Sequence, residues 1–262
     1  MHAFVGLALT ALAFFLAEIA RTSLPFSGLV NPAAMTLLFF GPLSVSLISH
    51  PFADWVGFFR VLLRAFRHRR GEGLLIAAEE MNEIGRAVRE SRWDEAAALS
   101  ERARSEAVRS FAPFLVRRYD GDTLSDALSS ASFRWMNEVR GADELFQGLG
   151  RVAPAFGMIG TIMGLVDLFA HMRDSASLGP GMAMALLATL YGLVLCYCVY
   201  LPLAVRIRGY LGAGIAERRA VERAIHLIAS GRPLQEARSA FFENGEASAR
   251  PLSAPLEAGR ER

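Results

Sequence analysis

The sequence predicts an all-α integral membrane protein with four transmembrane helices and a helical cytoplasmic domain between the second and third. Three observations carry this. Of 262 residues, 53% are hydrophobic and only 21% charged, with mean hydropathy +0.30, the composition of a membrane protein with a soluble part. Four apolar runs are long enough to cross a hydrocarbon core of about 30 Å at roughly 1.5 Å rise per residue. Between the second and third runs the character changes, with fifteen arginines from Arg60 to Arg140 mixed with acids.

The first run, Ala3 to Ala17 with Glu18 at its end, has only Met1 and His2 before it and no basic residue, so it reads as a spanning helix over about 3–20 rather than a leader. A polar bend from Arg21 to Gly28, with Pro25, leads to a second run over 29–49. Asn31, Pro32 and Pro42 interrupt it, which membrane helices tolerate. Residues 1–49 therefore form a transmembrane hairpin. Residues 50–149 show helix-period apolar positions, as in Trp93 to Arg104, and form the water-exposed domain, with GluGlu and ArgArg pairs expected on solvated faces.

Residues 150–208 hold the third and fourth spans, at about 152–171 and 182–205, joined by a short loop with one arginine, Arg173. Residues 209–245 read as an amphipathic helix, and 246–262, rich in Ala, Ser, Pro, Glu and Arg, as a disordered tail. The two short loops hold one arginine each and the other membrane face nearly all the rest, so both termini and the large domain are expected to be cytoplasmic.

Small residues mark the third and fourth spans. At about 100° per residue, Gly157, Thr161 and Gly164 share one narrow face. Ala185, Thr189 and Gly192 repeat the device. Two readings of these stripes stay open: close helix packing, with each threonine bonded back to its own helix, or an ion path lined by Thr161 and Thr189. Only Glu18 and Asp167 place a charge within a span, and both are expected near the outer interface, paired with Arg21 and His171. No carboxylate stands at mid-membrane, so an ion path requires one from a partner subunit.

Other chemistry is excluded or unsupported. A net charge of +2 does not suggest nucleic acid, and all 28 basic residues are arginine, for which no functional account is offered. Cys196 and Cys198 lie about 200° apart on a helix and read as reduced packing residues. The five histidines show no metal-ligand spacing, so no metal or cofactor is expected. GLGRVA around Gly148, Gly150 and Ala153 mimics a dinucleotide fingerprint, yet no strand precedes it. No nucleophile elbow or P-loop appears, and the chain is not expected to be an enzyme.

The segments PAFGMIGTIMGLV (Pro154 to Val166), ALLATLYGLVL (Ala185 to Leu195) and YLPLA (Tyr200 to Ala204) resemble the A subunits of flagellar motor stators, MotA and PomA, of the MotA/TolQ/ExbB proton channel family. The resemblance is strong over about 141–208 and weak over the first two helices. TolQ and ExbB, more distant, have three spans and a different loop order. The resemblance implies a homopentamer around a dimer of MotB/PomB-like subunits, each with one span, a channel aspartate and a peptidoglycan-binding domain. Such an assembly sits in the bacterial inner membrane among lipid, and ion flow drives its rotation against a rotor switch protein.

It implies that Pro154 and Pro202 are the prolines coupling ion flow to motion, and that Thr161 and Thr189 are channel-facing hydroxyls with Gly157, Gly164, Ala185 and Gly192 as the helix-contact stripe. RGEGLLIAAEE resembles the torque segment, with Arg70 on its rotor-contacting arginine and the glutamates Glu79 and Glu80 beside it, shifted by one position. Arg151 stands where the family has an acid. For the coupling ion, Thr161 resembles the sodium-type pattern, whereas Ala188 supplies no oxygen where sodium types often have a second threonine; the expectation leans to H+, with Na+ the alternative. Rival readings are a homologous ion-driven motor serving envelope transport, gliding or defence, and a non-conducting membrane scaffold.

Overall fold

The computed structural model describes residues 32–68, 72–170, 178–239 and 241. The first expected span, Arg70, Glu18, Arg21, His171 and the expected tail lie outside the described residues. Among the described residues every regular element is a helix: α1 (Pro32–Ser49), α2 (Phe52–Arg67), α3 (Glu72–Arg89), α4 (Trp93–Arg102), α5 (Glu106–Val116), α6 (Gly121–Ala170), α7 (Leu178–Val194), a π-helical turn (Leu195–Tyr200) and α8 (Leu201–Ala229).

The chain divides into two compact units, one from residues up to 63 with 140–207, the other from 64–139 with 208 onward. α6 runs unbroken across 152, the expected start of the third span. Gly121–Ala170 and Gly181–Ala229 are long and apolar enough to cross a membrane; Ala34–Ser49 and Asp54–Arg67 qualify together as a pair bent by 112°.

In the first unit α1 packs Ala34 and Leu38 against Ala188, with Phe156, Met184, Tyr191 and Leu195 around them. Gly41 lets α1 pass beneath the Phe156 ring, where a Cβ would collide. Phe58 of α2 rests on Gly141 of α6, where a Cβ would stand 2.8 Å from the ring. Large apolar side chains such as Phe39, Ile48, Ile162, Val166, Leu186 and Tyr197 point outward. In water such a surface would be costly, and it marks contact with lipid or protein.

The second unit has a conventional apolar core. Met81 and Ile84 of α3, Val108 and Phe111 of α5, Leu124 and Leu128 of α6, and Val221 and Ile225 of α8 are all fully buried in one cluster. Its helices recur to one stop signal. After α3, Arg92 N–H donates to the Ala87 carbonyl (2.8 Å) and Ser91 takes φ 58°. After α5, Tyr119 N–H donates to Phe114 (3.2 Å) and Arg118 takes φ 59°. After α8, Arg232 N–H donates to Leu227 (2.9 Å) with Gly231 at φ 74°. Glycine suits the left-handed position best, and only the third stop uses it. That stop, followed by Pro233, breaks the helix expected over 209–245, and residues 234–239 form a separate short helix.

Because Ser91 bears a side chain at positive φ, Ser91→Gly is expected to raise stability by about 1 kcal/mol. Thermal unfolding of the purified protein in detergent reads this as an upward shift of a few degrees; an unchanged or lower midpoint contradicts it.

Candidate functional site

The third and fourth expected spans meet through their smallest residues. A Cβ on Gly157 would stand 3.1 Å from the Ala188 carbonyl oxygen and 3.3 Å from Thr189 Cα; one on Gly192, 3.0 Å from the Ala153 carbonyl oxygen. At Gly164 the neighbours are Ala185 N (2.6 Å) and the Gly181 carbonyl oxygen (2.7 Å). These are backbone atoms, so nothing can move aside cheaply. The full contact is Ala153, Gly157, Gly160, Gly164 on α6 against Gly181, Ala185, Ala188, Gly192 on α7, the same 4, 3, 4 spacing on both helices. The sequence stripes hold four of these residues; Ala153, Gly160, Gly181 and Ala188 join them only in the structure, although the shared spacing is their signal.

Because the backbones are this close, Thr161 and Thr189 touch across the contact. Their hydroxyls are hydrogen-bonded to each other, and Thr161 Oγ1 also reaches the carbonyl oxygens of Gly157 (3.1 Å) and Ala185 (3.2 Å). A hydroxyl has one proton to give. When Thr161 donates to either carbonyl, the Thr189 hydroxyl is the donor between the two threonines, and lone pairs remain on Thr189. Both hydroxyls are only half-buried. The arrangement thus combines the packing reading, in the bond to Gly157 of its own helix, with a pair of oxygens able to meet a cation or a protonated donor.

The two prolines lie within helices near one level of this contact. Pro154 has no N–H for the Gly150 carbonyl one turn earlier. A Cβ on Gly150 would lie 3.3 Å from Leu201 Cδ2 and 3.5 Å from Tyr200 Cβ, residues that immediately precede Pro202. The chain before Pro202 widens into the π-helical turn, where Leu201 N–H donates to the Cys196 carbonyl five residues back. That widening relieves the clash a proline ring otherwise makes with the carbonyl four residues earlier. Cys196 in this turn is buried and Cys198 half-buried, both as free thiols.

In the second unit, Glu79 is exposed on α3. Glu80 is half-buried and accepts from the backbone N–H groups of Arg104 (2.6 Å) and Ser105 (3.1 Å), so it also holds the turn before α5. Ser105 caps α5, accepting from Val108 N–H (3.1 Å), while its hydroxyl donates to Glu217 Oε1 (2.6 Å). Burial pushes the Glu217 carboxyl up from the ordinary carboxylate value; Ser105 and Arg218 pull it down, while Glu106 and Glu80 push it up.

Around Glu106 the contacts are Arg64 (3.1 Å), the Tyr210 hydroxyl (3.0 Å) and Arg218 (3.9 Å). Burial, then the Glu106 charge, pushes the Tyr210 phenol well above its usual value. Arg218 is buried, because Tyr210, Gly214, Glu217, Val221, Ile225 and Ile228 form an inward stripe at helical spacing beside it. Among the described residues no group of three His, Cys, Asp or Glu could hold a metal ion.

Residues 95–219, which contain the threonine pair, match the MotA/TolQ/ExbB proton channel family. The chain is 27% identical over 210 residues to Motility protein A of Cereibacter sphaeroides, covering 77% of this chain and 79% of that one. It is 41% identical over 90 residues to the chemotaxis protein PomA of Vibrio alginolyticus, covering 34% and 36%. Its fold is similar to that of C. jejuni MotAB, with a TM-score of 0.78, 14% identity and 97% of both chains covered. The flagellar MotAB stator complex from Bacillus subtilis gives 0.75, with 18% identity and 90% of this chain and 92% of that one covered.

Two outcomes are expected from these geometries. Gly157→Leu drives a side chain into the α7 backbone and costs on the order of 1–3 kcal/mol or more, whereas Gly148→Ala, with open space at its Cβ, raises stability by roughly 0.5–1 kcal/mol; paired thermal melts check the opposite signs. Glu217, its carboxyl raised above the ordinary value of 4.5, contributes stability that is full below that value and lost as pH rises through its folded value. Glu217→Gln keeps an acceptor for Ser105 and flattens that stretch of the stability profile, and a variant profile parallel to wild type excludes the effect.

Proposed function

We infer that this chain, whose residues 95–219 belong to the MotA/TolQ/ExbB proton channel family, is the ion-conducting A-type stator subunit of a bacterial flagellar motor. The observation that carries this reading is the hydroxyl pair Thr161 and Thr189, seated where two apolar helices meet backbone to backbone. Between Gly150 and Val166 α6 carries no carboxylate, so the proton-accepting group comes from a partner. Relatives of this fold are solved as MotAB stator complexes, which supports a MotB-type partner.

In this reading five copies surround a dimer of single-span, peptidoglycan-binding B subunits in the inner membrane. Each copy has four spans, both termini cytoplasmic, and a cytoplasmic domain over 50–149. The outward apolar side chains of the first unit meet lipid or the neighbouring copies. Pro154 and Pro202, with the π-helical turn, let the helices flex as the partner's carboxylate is loaded and discharged. Gly157, Gly164, Ala185 and Gly192 keep the threonines in register during that movement.

Torque reaches the rotor switch protein through Arg70, Glu79 and Glu80; Glu79 is the exposed acid of the segment, while Glu80 shares its carboxylate with a local turn. The coupling ion is H+, with Na+ the alternative: two hydroxyls serve a proton path, whereas sodium needs several oxygens. Ala188 cannot add one, because its side chain is a methyl group with no oxygen.

The A subunit reconstituted alone in liposomes is expected to conduct nothing, and flux should appear only with the B partner. Leakage from the A subunit alone would falsify the shared-site reading. Swimming at fixed pH should persist when sodium is replaced by potassium; speed that tracks sodium reverses the ion assignment. Combining Arg70→Glu with Glu79→Arg should slow or stop rotation while leaving membrane assembly intact, each exposed contact being worth about 1 kcal/mol or less. Wild-type swimming by that double variant removes the torque assignment.

A further inference from the structure

Helix α2 is apolar on two sides, and the protein covers one of them. Phe58, Val61 and Ala65 are buried, with the Phe58 ring against His50 at 5.7 Å and over Gly141. On the opposite side Val56, Phe59 and Leu63 are each more than half exposed. At about 100° per residue, Val56 and Phe59 fall within about 40° of Leu63, so the three form one stripe. Arg60 and Arg67, both exposed and on the same continuous helix, stand about 60° and 40° from Leu63 along one edge of that stripe. Arg64, further round the same side, is already held by Glu106 (3.1 Å) and Glu138 (3.7 Å). The helix has a single acid, Asp54, in its first turn and about 180° from Leu63.

What precedes α2 decides what this stripe meets. Only His50 and Pro51 separate it from α1, a reach of about 10 Å at most, which keeps the start of α2 at headgroup level when α1 crosses the bilayer. The two helices are bent by 112°. A span tilted by about 20°, the usual amount, then lays α2 along the membrane surface. There an apolar stripe bordered by arginines matches two adjoining layers: acyl chains take the stripe, and guanidinium groups lie level with the phosphates. A protein partner has to supply an apolar ridge with an acidic edge in register beside it. A leaflet containing anionic lipid presents both along its whole surface.

We propose that α2 is an in-plane helix that binds anionic phospholipid, with Val56, Phe59 and Leu63 among acyl chains and Arg60 and Arg67 on headgroup phosphates. The inference rests on the reading of α1 as a membrane span.

The test uses the full-length protein with Cys196→Ala and Cys198→Ala, reconstituted in vesicles of equal parts phosphatidylcholine and phosphatidylglycerol. Bromine sits on the upper acyl chains of one lipid or the other, and a bimane fluorophore is attached at Leu63→Cys, at Phe40→Cys in α1, or at Glu90→Cys as a solvent control. Both lipids are expected to quench the label at 63 and neither the one at 90. Relative to position 40, brominated phosphatidylglycerol should quench position 63 about twofold more than brominated phosphatidylcholine does. Arg60→Gln with Arg67→Gln, both exposed, should return that ratio to one. Quenching at 40 with none at 63 overturns the proposal, whether water or a second copy of the chain covers the stripe. Equal quenching of 63 by the two lipids overturns it as well, as does a preference that the arginine variant leaves unchanged. Absence of quenching at both 40 and 63 rejects the span itself, and the proposal falls with it.

Discussion

Backbone contact between α6 and α7 is the constraint on which the first unit depends. Lipid tails are as apolar as leucine, so burying side chains cannot drive two membrane helices together; close packing has to. Gly157 and Gly192 provide it, each leaving its partner's backbone where a side chain would stand. The threonine pair follows from that closeness. With larger residues in the stripe the two hydroxyls would separate, and each would bond only within its own helix. α1 then closes the arrangement, its Leu37 and Leu38 reaching Gly160 and Gly192.

Of the two prolines, Pro154 lies at the start of this contact, between Ala153 and Gly157, and Pro202 lies beyond its end at Gly192. Pro154 has no N–H to donate to the carbonyl one turn earlier, and the π-helical turn before Pro202 lengthens the hydrogen-bond ladder by one residue. Such breaks lower the cost of bending locally without loosening the packed turns nearby.

The second unit solves a different problem. Its core is apolar and well filled, yet one side buries Glu217 and Arg218 in adjacent positions of α8. Buried ions rarely stabilise a fold on balance, because desolvation offsets their attraction. Here the charges are partly met: Ser105 caps both a helix and a carboxylate, Glu106 gathers Arg64, Tyr210 and Arg218, and two aromatic rings hold the guanidinium. Arg218 Nη1 is buried without a hydrogen-bond partner.

Much of this was legible in the residues. Long apolar runs and the 3.6-residue period dictate helices whatever the tertiary context, because a backbone in lipid must satisfy its own hydrogen bonds. Small residues at helical spacing announced a face on which another helix could approach closely. Other features needed the folded chain. That Thr161 meets Thr189 depends on the register of two helices, and register is a property of the pair. That Glu80 serves a turn at Arg104 and Ser105, and that Arg218 is buried while Arg219 is exposed, depends on which face of a helix finds a partner. A charged residue carries the same local propensity in either setting. Its fate is decided by neighbours over a hundred positions away in the sequence, as Ser105 is from Glu217, and local pattern holds no record of them.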